Sequence, residues 1–260
     1  MKRTVTFFLV IIILLVPVSV FSESNNDNAR QIANFMETHY GVTILIGPDC
    51  SSATTGGFTL GDQPEGRSPF LKMLGGKNYE NEIQIIDDSF SIYPSGFFDH
   101  FICEEAPNGL RILLADQIVY NEKSMAGVST ISDGYYNIFL GVGAFQRINV
   151  HHEIWHVIEF RILYDNPHAF DNWNDLNPDG FKYEEDNWNM DKWDSYATKD
   201  EWFVRGYSTI DEYEDRATII EALFQYDTEW WSAHPGVVVK YNKMMEVAEP
   251  IFGKIYNEGE

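Results

Sequence analysis

The segment His152-Glu153-Ile154-Trp155-His156, set inside the apolar stretch 150–160, limits what this chain can fold into more than any other feature. On a helix, residues four apart share a face, so both imidazoles point the same way with the Glu153 carboxylate beside them. Such a face can hold a divalent metal ion and place a base next to its water. Ile154, Trp155, Val157, Ile158 and Phe160 suit a buried helix with a polar notch rather than a solvated surface helix. The rival reading is a core helix with satisfied histidines. It needs no further ligand, whereas a hydrolytic zinc site takes three protein ligands and leaves the fourth position to water.

The third ligand must come from later in the chain. His168 and His234 sit in no helical frame and read as loop residues. A better source is a helix entered through Thr209, with Glu212 three residues on as a capping box and a core stripe of Tyr213, Ala217, Ile220 and Phe224. Glu214, Thr218 and Glu221 line the adjacent face. Either glutamate can reach a cleft shared with the histidine helix, and spacing leaves both open.

The order His152-Glu153-x-x-His156, then Tyr207 and Glu214 seven residues apart, then Asp215-Arg216-Ala217, resembles the gluzincin metallopeptidases. Within them it resembles the group of the Pro-Pro endopeptidases and anthrax lethal factor. The resemblance spans about residues 110–222 and implies His152, His156 and Glu214 as ligands of one zinc ion per chain. It further implies Glu153 as general base and Tyr207 as the hydroxyl that stabilises the oxyanion. Four residues after the third ligand those proteins carry a glutamate that supports a ligand; this chain has Thr218 there, which leaves Glu221 or Glu159 for that task and gives no ground for expecting cleavage between prolines.

Lys2 and Arg3 precede an apolar run and a small-residue exit at Ser22, the layout of a secretory signal peptide over residues 1–22 and of a secreted product. Its removal takes the formal charge of −22 to about −24. So acidic a surface repels phosphates, which argues against nucleic acid and against stable membrane association after cleavage, and leaves a peptide or protein substrate open. Cys50 and Cys103 can pair in an oxidising compartment, closing a loop of about 53 residues; two separate buried thiols is the equal alternative.

The apolar periodicities predict helices over 28–40, 79–93, 97–102, 146–163, from 209 onward and over 235–255, and strands over 42–46, 110–115 and 135–140. On the first helix Ile32, Phe35, Met36 and Tyr40 share a side; on the last, Val238, Tyr241, Met245 and Ala248 do. Residues 51–69 and 126–134 read as loops, and 165–202 as irregular and aromatic, with rings that pack or wall a cleft. Asp175-Leu176-Asn177-Pro178-Asp179-Gly180 with Asp186 fits the positions of a calcium loop. Pro178, Lys182 and Asp186 in place of a glutamate favour an ordinary polar turn, with Ca2+ at 175–186 as the second reading.

These elements predict an α+β, zincin-like metallopeptidase fold: a small mixed sheet, backing helices, an active-site helix and a mainly helical C-terminal part. Residues 23–260 form one catalytic domain, with lobes over 23–163 and 164–260. The expected function is a secreted zinc-dependent endopeptidase. The alternatives are a zinc hydrolase of non-peptide amides and a catalytically silent zinc-containing binding protein. An intact Glu153 speaks against the last, because a structural site needs no base.

Overall fold

In the computed structural model, residues 19–53, 59–60, 70–72, 78–120, 123–183 and 201–256 are described; the expected signal segment lies outside them up to Ser19. The elements run α1 (Ser19–Tyr40), β1 (Thr43–Ile46), β2 (Thr59–Leu60), β3 (Phe70–Lys72), α2 (Glu80–Phe90), β4 (Leu110–Ala115), β5 (Gln117–Tyr120), β6 (Lys123–Met125), β7 (Gly127–Ser132), β8 (Tyr135–Gly141), α3 (Arg147–Asp165), α4 (Glu212–Gln225), α5 (Thr228–Ala233) and α6 (Pro235–Phe252). Short 3₁₀ turns join several of them.

Near-continuous burial makes β4 and β8 the centre of the molecule, as expected of parallel strands covered on both faces, with Arg111 and Asn137 hydrogen-bonded to each other within otherwise apolar runs. The sheet order is β1-β4-β8-β7, with β1, β4 and β8 parallel and β7 antiparallel to β8. Side chains alternate across it. Leu110, Ile112, Leu114, Tyr136, Ile138 and Leu140 meet the helices, and Leu113, Ala115 and Phe139 meet Cys50 and Ile118 on the far side. Ile118 belongs to a second, smaller sheet of order β2-β3-β5-β6. Along β1, Arg30 of α1 donates to the Ile44 carbonyl at 2.7 Å, and the Ile44 amide donates to Glu37 at 2.9 Å. A helix thus satisfies backbone groups that an edge strand would expose.

Helix α3 follows β8 and lies against the helix-facing side of the sheet. Gln146 and Asn149 cap its start reciprocally, and Val150, Ile154, Trp155, Val157, Ile158 and Ile162 are buried. Burial on nearly every side explains why its apolar density, rather than a clean stripe, announced it.

Four local expectations are corrected. Residues 126–134 are not a loop: β7 fills most of them and turns into β8 through Asp133-Gly134, both at positive φ, the conformation a two-residue hairpin requires. The capped helix starts later, with Asp211 rather than Thr209 as N-cap, its carboxylate accepting from the Glu214 amide at 2.8 Å. Tyr213 consequently falls in the first turn and is exposed instead of lying in the core. On α6 Ala248 is buried as expected, but Val237, Lys240 and Met244 take the buried places of Val238, Tyr241 and Met245, and Lys240 finds a buried carboxylate there. On α1 the buried set is Ala29, Ala33 and Met36, and Phe35 faces outward, stacked on His39; α1 also reaches back to Ser19, since 19–27 contains no glycine or proline to stop it.

The two cysteines are free. The Cys50 thiol points to the carbonyls of Leu45 and Leu114, on the far face, and Cys103 lies beside the Tyr136 hydroxyl, on the helix face. Leu114 pairs with Leu140, four residues along β8 from Tyr136, so the two thiols are also separated by roughly 13 Å of sheet, well outside disulfide reach.

Candidate metal centre

His152 and His156 project from one face of α3, and α4 crosses that face so that Glu214 reaches both. His152 Nε2 lies 3.1 Å from His156 Nε2 and 3.1 Å from Glu214 Oε2, and His156 Nε2 lies 3.6 Å from the same oxygen. Among the described residues this is the group of histidine, cysteine, aspartate or glutamate side chains that could hold a metal ion. The geometry fits one. Bonds of 2.0–2.1 Å in a tetrahedron put neighbouring ligand atoms about 3.3 Å apart, which the three distances bracket. Glu214 Oε2 is buried and faces the Nε2 atoms of both imidazoles, as expected of three ligand atoms that share a cation.

Glu221 is not part of that triangle. It approaches His152 from behind, with Oε1 2.9 Å from Nδ1, and the same oxygen accepts from Arg205 at 2.7 Å. A carboxylate on the far nitrogen fixes which nitrogen of the ring faces the metal. Thr218, at the position where the resemblance would have a glutamate, instead hydrogen-bonds Ser208 at 2.7 Å and ties the turn carrying Tyr207 to α4. Glu159 reaches no ligand; it accepts from Arg216.

Burial alone would push His152 down, but hydrogen bonds to Glu214 and Glu221 raise it to about 10. The same histidines overcome the burial of Glu214 and hold it far below the usual carboxylate range. Burial raises Glu153. Tyr207 is pushed well up by burial and by Glu214, whose side chain it hydrogen-bonds, and its ring lies over His152 with centroids 6.0 Å apart. His151, the neighbour of the pair in sequence, points the other way, stacks on Phe224 at 3.8 Å and meets the Tyr93 hydroxyl at 3.0 Å; burial lowers it to about 3.

Three successive residues of α4 serve three different neighbours. Glu214 enters the centre. Asp215, fully buried, receives Lys240 of α6 at 2.8 Å, Tyr183 at 2.7 Å and the Trp173 indole at 3.1 Å. Arg216 pairs with Glu159 of α3 and lies over the rings of Phe170, Trp173 and Tyr213.

The centre opens into a cleft of about 380 Å³ lined by His152, Glu153, His156, Tyr207 and Glu214, by Val128 and Ser129 of β7, and by Phe160, Asp211 and Tyr213. A second compartment of about 270 Å³ continues past Tyr207 toward Arg205 and Asn149. The β7 residues were missed by sequence reasoning. Asp133-Gly134, flanked by Val128-Ser129-Thr130-Ile131 and Tyr135-Tyr136, was the hairpin signal that could have found them. Trp173, Phe181 and Tyr183 do not line the cleft, and Trp188 and Trp193 lie outside the described residues.

The calcium reading gains nothing: Asp175 and Asp179 join no ligand group, Asn177 is engaged with Tyr183, and Asp186 lies outside the described residues. No helix among the described residues is long and apolar enough to cross a membrane.

Comparison with protein families and with curated proteins finds no match. A search of solved structures finds the crystal structure of a "putative zinc-binding metallo-peptidase" from Bacteroides caccae, with a TM-score of 0.52 over 88% of this chain and 87% of that one, at 10% identity. The fold is metallopeptidase-like. At that identity the likeness concerns the path of the backbone, and the chemistry rests on the side chains above.

Proposed function

We propose that the protein is an exported zinc-dependent endopeptidase of gluzincin type, with His152, His156 and Glu214 as the metal ligands, Glu153 as general base and Tyr207 as oxyanion donor. The observation that carries this reading is the meeting, on one cleft wall, of the three-ligand triangle with an adjacent buried carboxylate that is not part of it. A bound zinc ion supplies Lewis acidity, making water acidic near neutral pH and polarising a carbonyl. The residues of the chain do the rest. Glu153, held in a cleft wall where burial increases its appetite for a proton, takes one from the attacking water and returns it to the departing amine. The Tyr207 hydroxyl donates to the oxygen on which negative charge develops, a contribution commonly on the order of 10²-fold. Val128, Phe160 and Tyr213 offer an apolar wall for a substrate side chain and reduce water beside the scissile bond.

The substrate of this reading is a peptide or protein, in keeping with an acidic chain that would repel nucleic acid. Digestion of a peptide library read by mass spectrometry, with and without a chelator, tests it. Chelator-sensitive internal cleavage is expected, abolished by Glu153→Gln while zinc content stays near one per chain. Absence of cleavage by the zinc-loaded protein would overturn the assignment.

A further inference from the structure

The edge strand β7 contributes more than a wall. Gly127 and Ser129 alternate with Val128 and so project from one face of β7, the face turned toward α3. Ser129 Oγ lies 2.7 Å from Glu153 Oε2 and 3.1 Å from the Glu153 main-chain carbonyl. A hydroxyl has one proton and two lone pairs, so it can donate to either oxygen in turn. Two residues away, a Cβ on Gly127 would stand 2.6 Å from Glu153 Oε1 and 2.7 Å from its Cγ. Gly127 is not at positive φ. Its lack of a side chain therefore answers a need for room rather than for a special backbone angle.

We propose that Ser129 is a positioning residue for Glu153 and that Gly127 and Ser129 together form a socket that keeps this carboxyl aimed at the cleft in both halves of the reaction. While Glu153 is a carboxylate, the Ser129 proton lies toward Oε2. When the cleft-facing oxygen of Glu153 has taken a proton, Oε2 is the carbonyl oxygen of the acid and still accepts from Ser129, so the same contact holds the side chain in both states. No bond to carbon forms or breaks at Ser129, and its proton stays on its own oxygen throughout. An alanine at 129 would leave the carboxyl free to swing, and an alanine at 127 would push it from the strand.

This inference rests on Glu153 as the base, and its test separates the two. Zinc-loaded wild type, Ser129→Ala, Ser129→Thr, Gly127→Ala and Glu153→Gln are compared on a fluorogenic peptide built from a sequence that the wild type cleaves in the library digest. Ser129→Ala is expected to lose roughly 10- to 100-fold in kcat with KM within about twofold of wild type, because misaiming the base weakens the chemical step and not the grip on the peptide. Zinc content and thermal midpoint should stay near wild type. Ser129→Thr, which keeps the hydroxyl, should recover most of kcat, and Gly127→Ala should lose it. The socket is overturned if kcat of Ser129→Ala stays within twofold of wild type, if its loss follows an equal loss of zinc or of folded protein, or if threonine rescues nothing. A wild type that cleaves no peptide, or a Glu153→Gln variant as active as wild type, overturns the base assignment and the socket with it.

Discussion

Lys240→Met tests whether the site is held by what lies behind it. Both members of the Lys240–Asp215 pair are fully buried, and losing one partner of such a pair commonly costs about 3–5 kcal/mol because the other charge is left uncompensated. Two features bound the loss here. Tyr183 and the Trp173 indole still donate to Asp215, which places the figure toward the lower end. Asp215 can also escape its charge by binding a proton; from its ordinary 3.8, this costs about 4.4 kcal/mol at pH 7 and about 1.6 kcal/mol at pH 5. In the wild type, burial pushes this carboxyl up while the Lys240 ammonium pulls it back; without the ammonium only the Tyr183 and Trp173 hydrogen bonds oppose that push. A carboxyl raised in the folded state binds more protons there than in the unfolded chain, so stability falls as pH rises through that interval. The deficit of Lys240→Met should thus be about 3–4 kcal/mol at pH 7, a drop of roughly 10 °C in midpoint, and should shrink below about 2 kcal/mol at pH 5. Urea and thermal unfolding followed by circular dichroism, both in chelator, would measure it. A loss under about 1 kcal/mol at pH 7, or one that deepens on acidification, would refute the reasoning. Adding Asp215→Asn should restore a large part of the loss.

Further outcomes follow from the same geometry. Glu221→Gln should weaken zinc binding about 10- to 100-fold in chelator competition, and Glu214→Ala should weaken it more; equal effects would mean that the side of the imidazole each contacts does not matter. Native protein should show one thiol that resists alkylation at pH 8, Cys50, whose burial raises it to about 12, and one that reacts, Cys103; a chain without free thiols would contradict the separation of the two faces. Gly47→Ala should destabilise by about 2 kcal/mol or more in urea unfolding, since Gly47 is at positive φ and a Cβ would stand 2.5 Å from the Tyr79 hydroxyl that binds Asp116. Under the proposed export, N-terminal sequencing of the mature protein should begin at Glu23; retention of residues 1–22 would replace the signal peptide with an anchor.

What could be read from the chain divides along physical lines. Helix α3, β4 and β8 were legible because burial on many sides demands apolar density, and density survives in one dimension. The two histidines and Glu153 were legible because their relation is local to one helix. Glu214 and Glu221 were not separable, since seven residues is two turns and leaves both on one face; which meets Nε2 and which meets Nδ1 depends on how far α4 is slid along α3. Lys240 could not be foreseen in the core because its partner is 25 residues away and on another helix. Strand β7 was misread because its serines, threonine and glycine suggested a loop, although the Asp133-Gly134 turn was present.

The consecutive trio Glu214-Asp215-Arg216 also bears on how this centre could be moved or edited. Each residue is turned about 100° from the last, so deleting a single residue upstream within α4 would swing all three to the wrong neighbours at once. A graft of the centre into another scaffold would accordingly have to bring Lys240 and Glu159 with it, and with them segments of α6 and of the later turns of α3. The smallest portable unit is therefore three helices in fixed rotation, and α4 is a gear in it rather than a removable part.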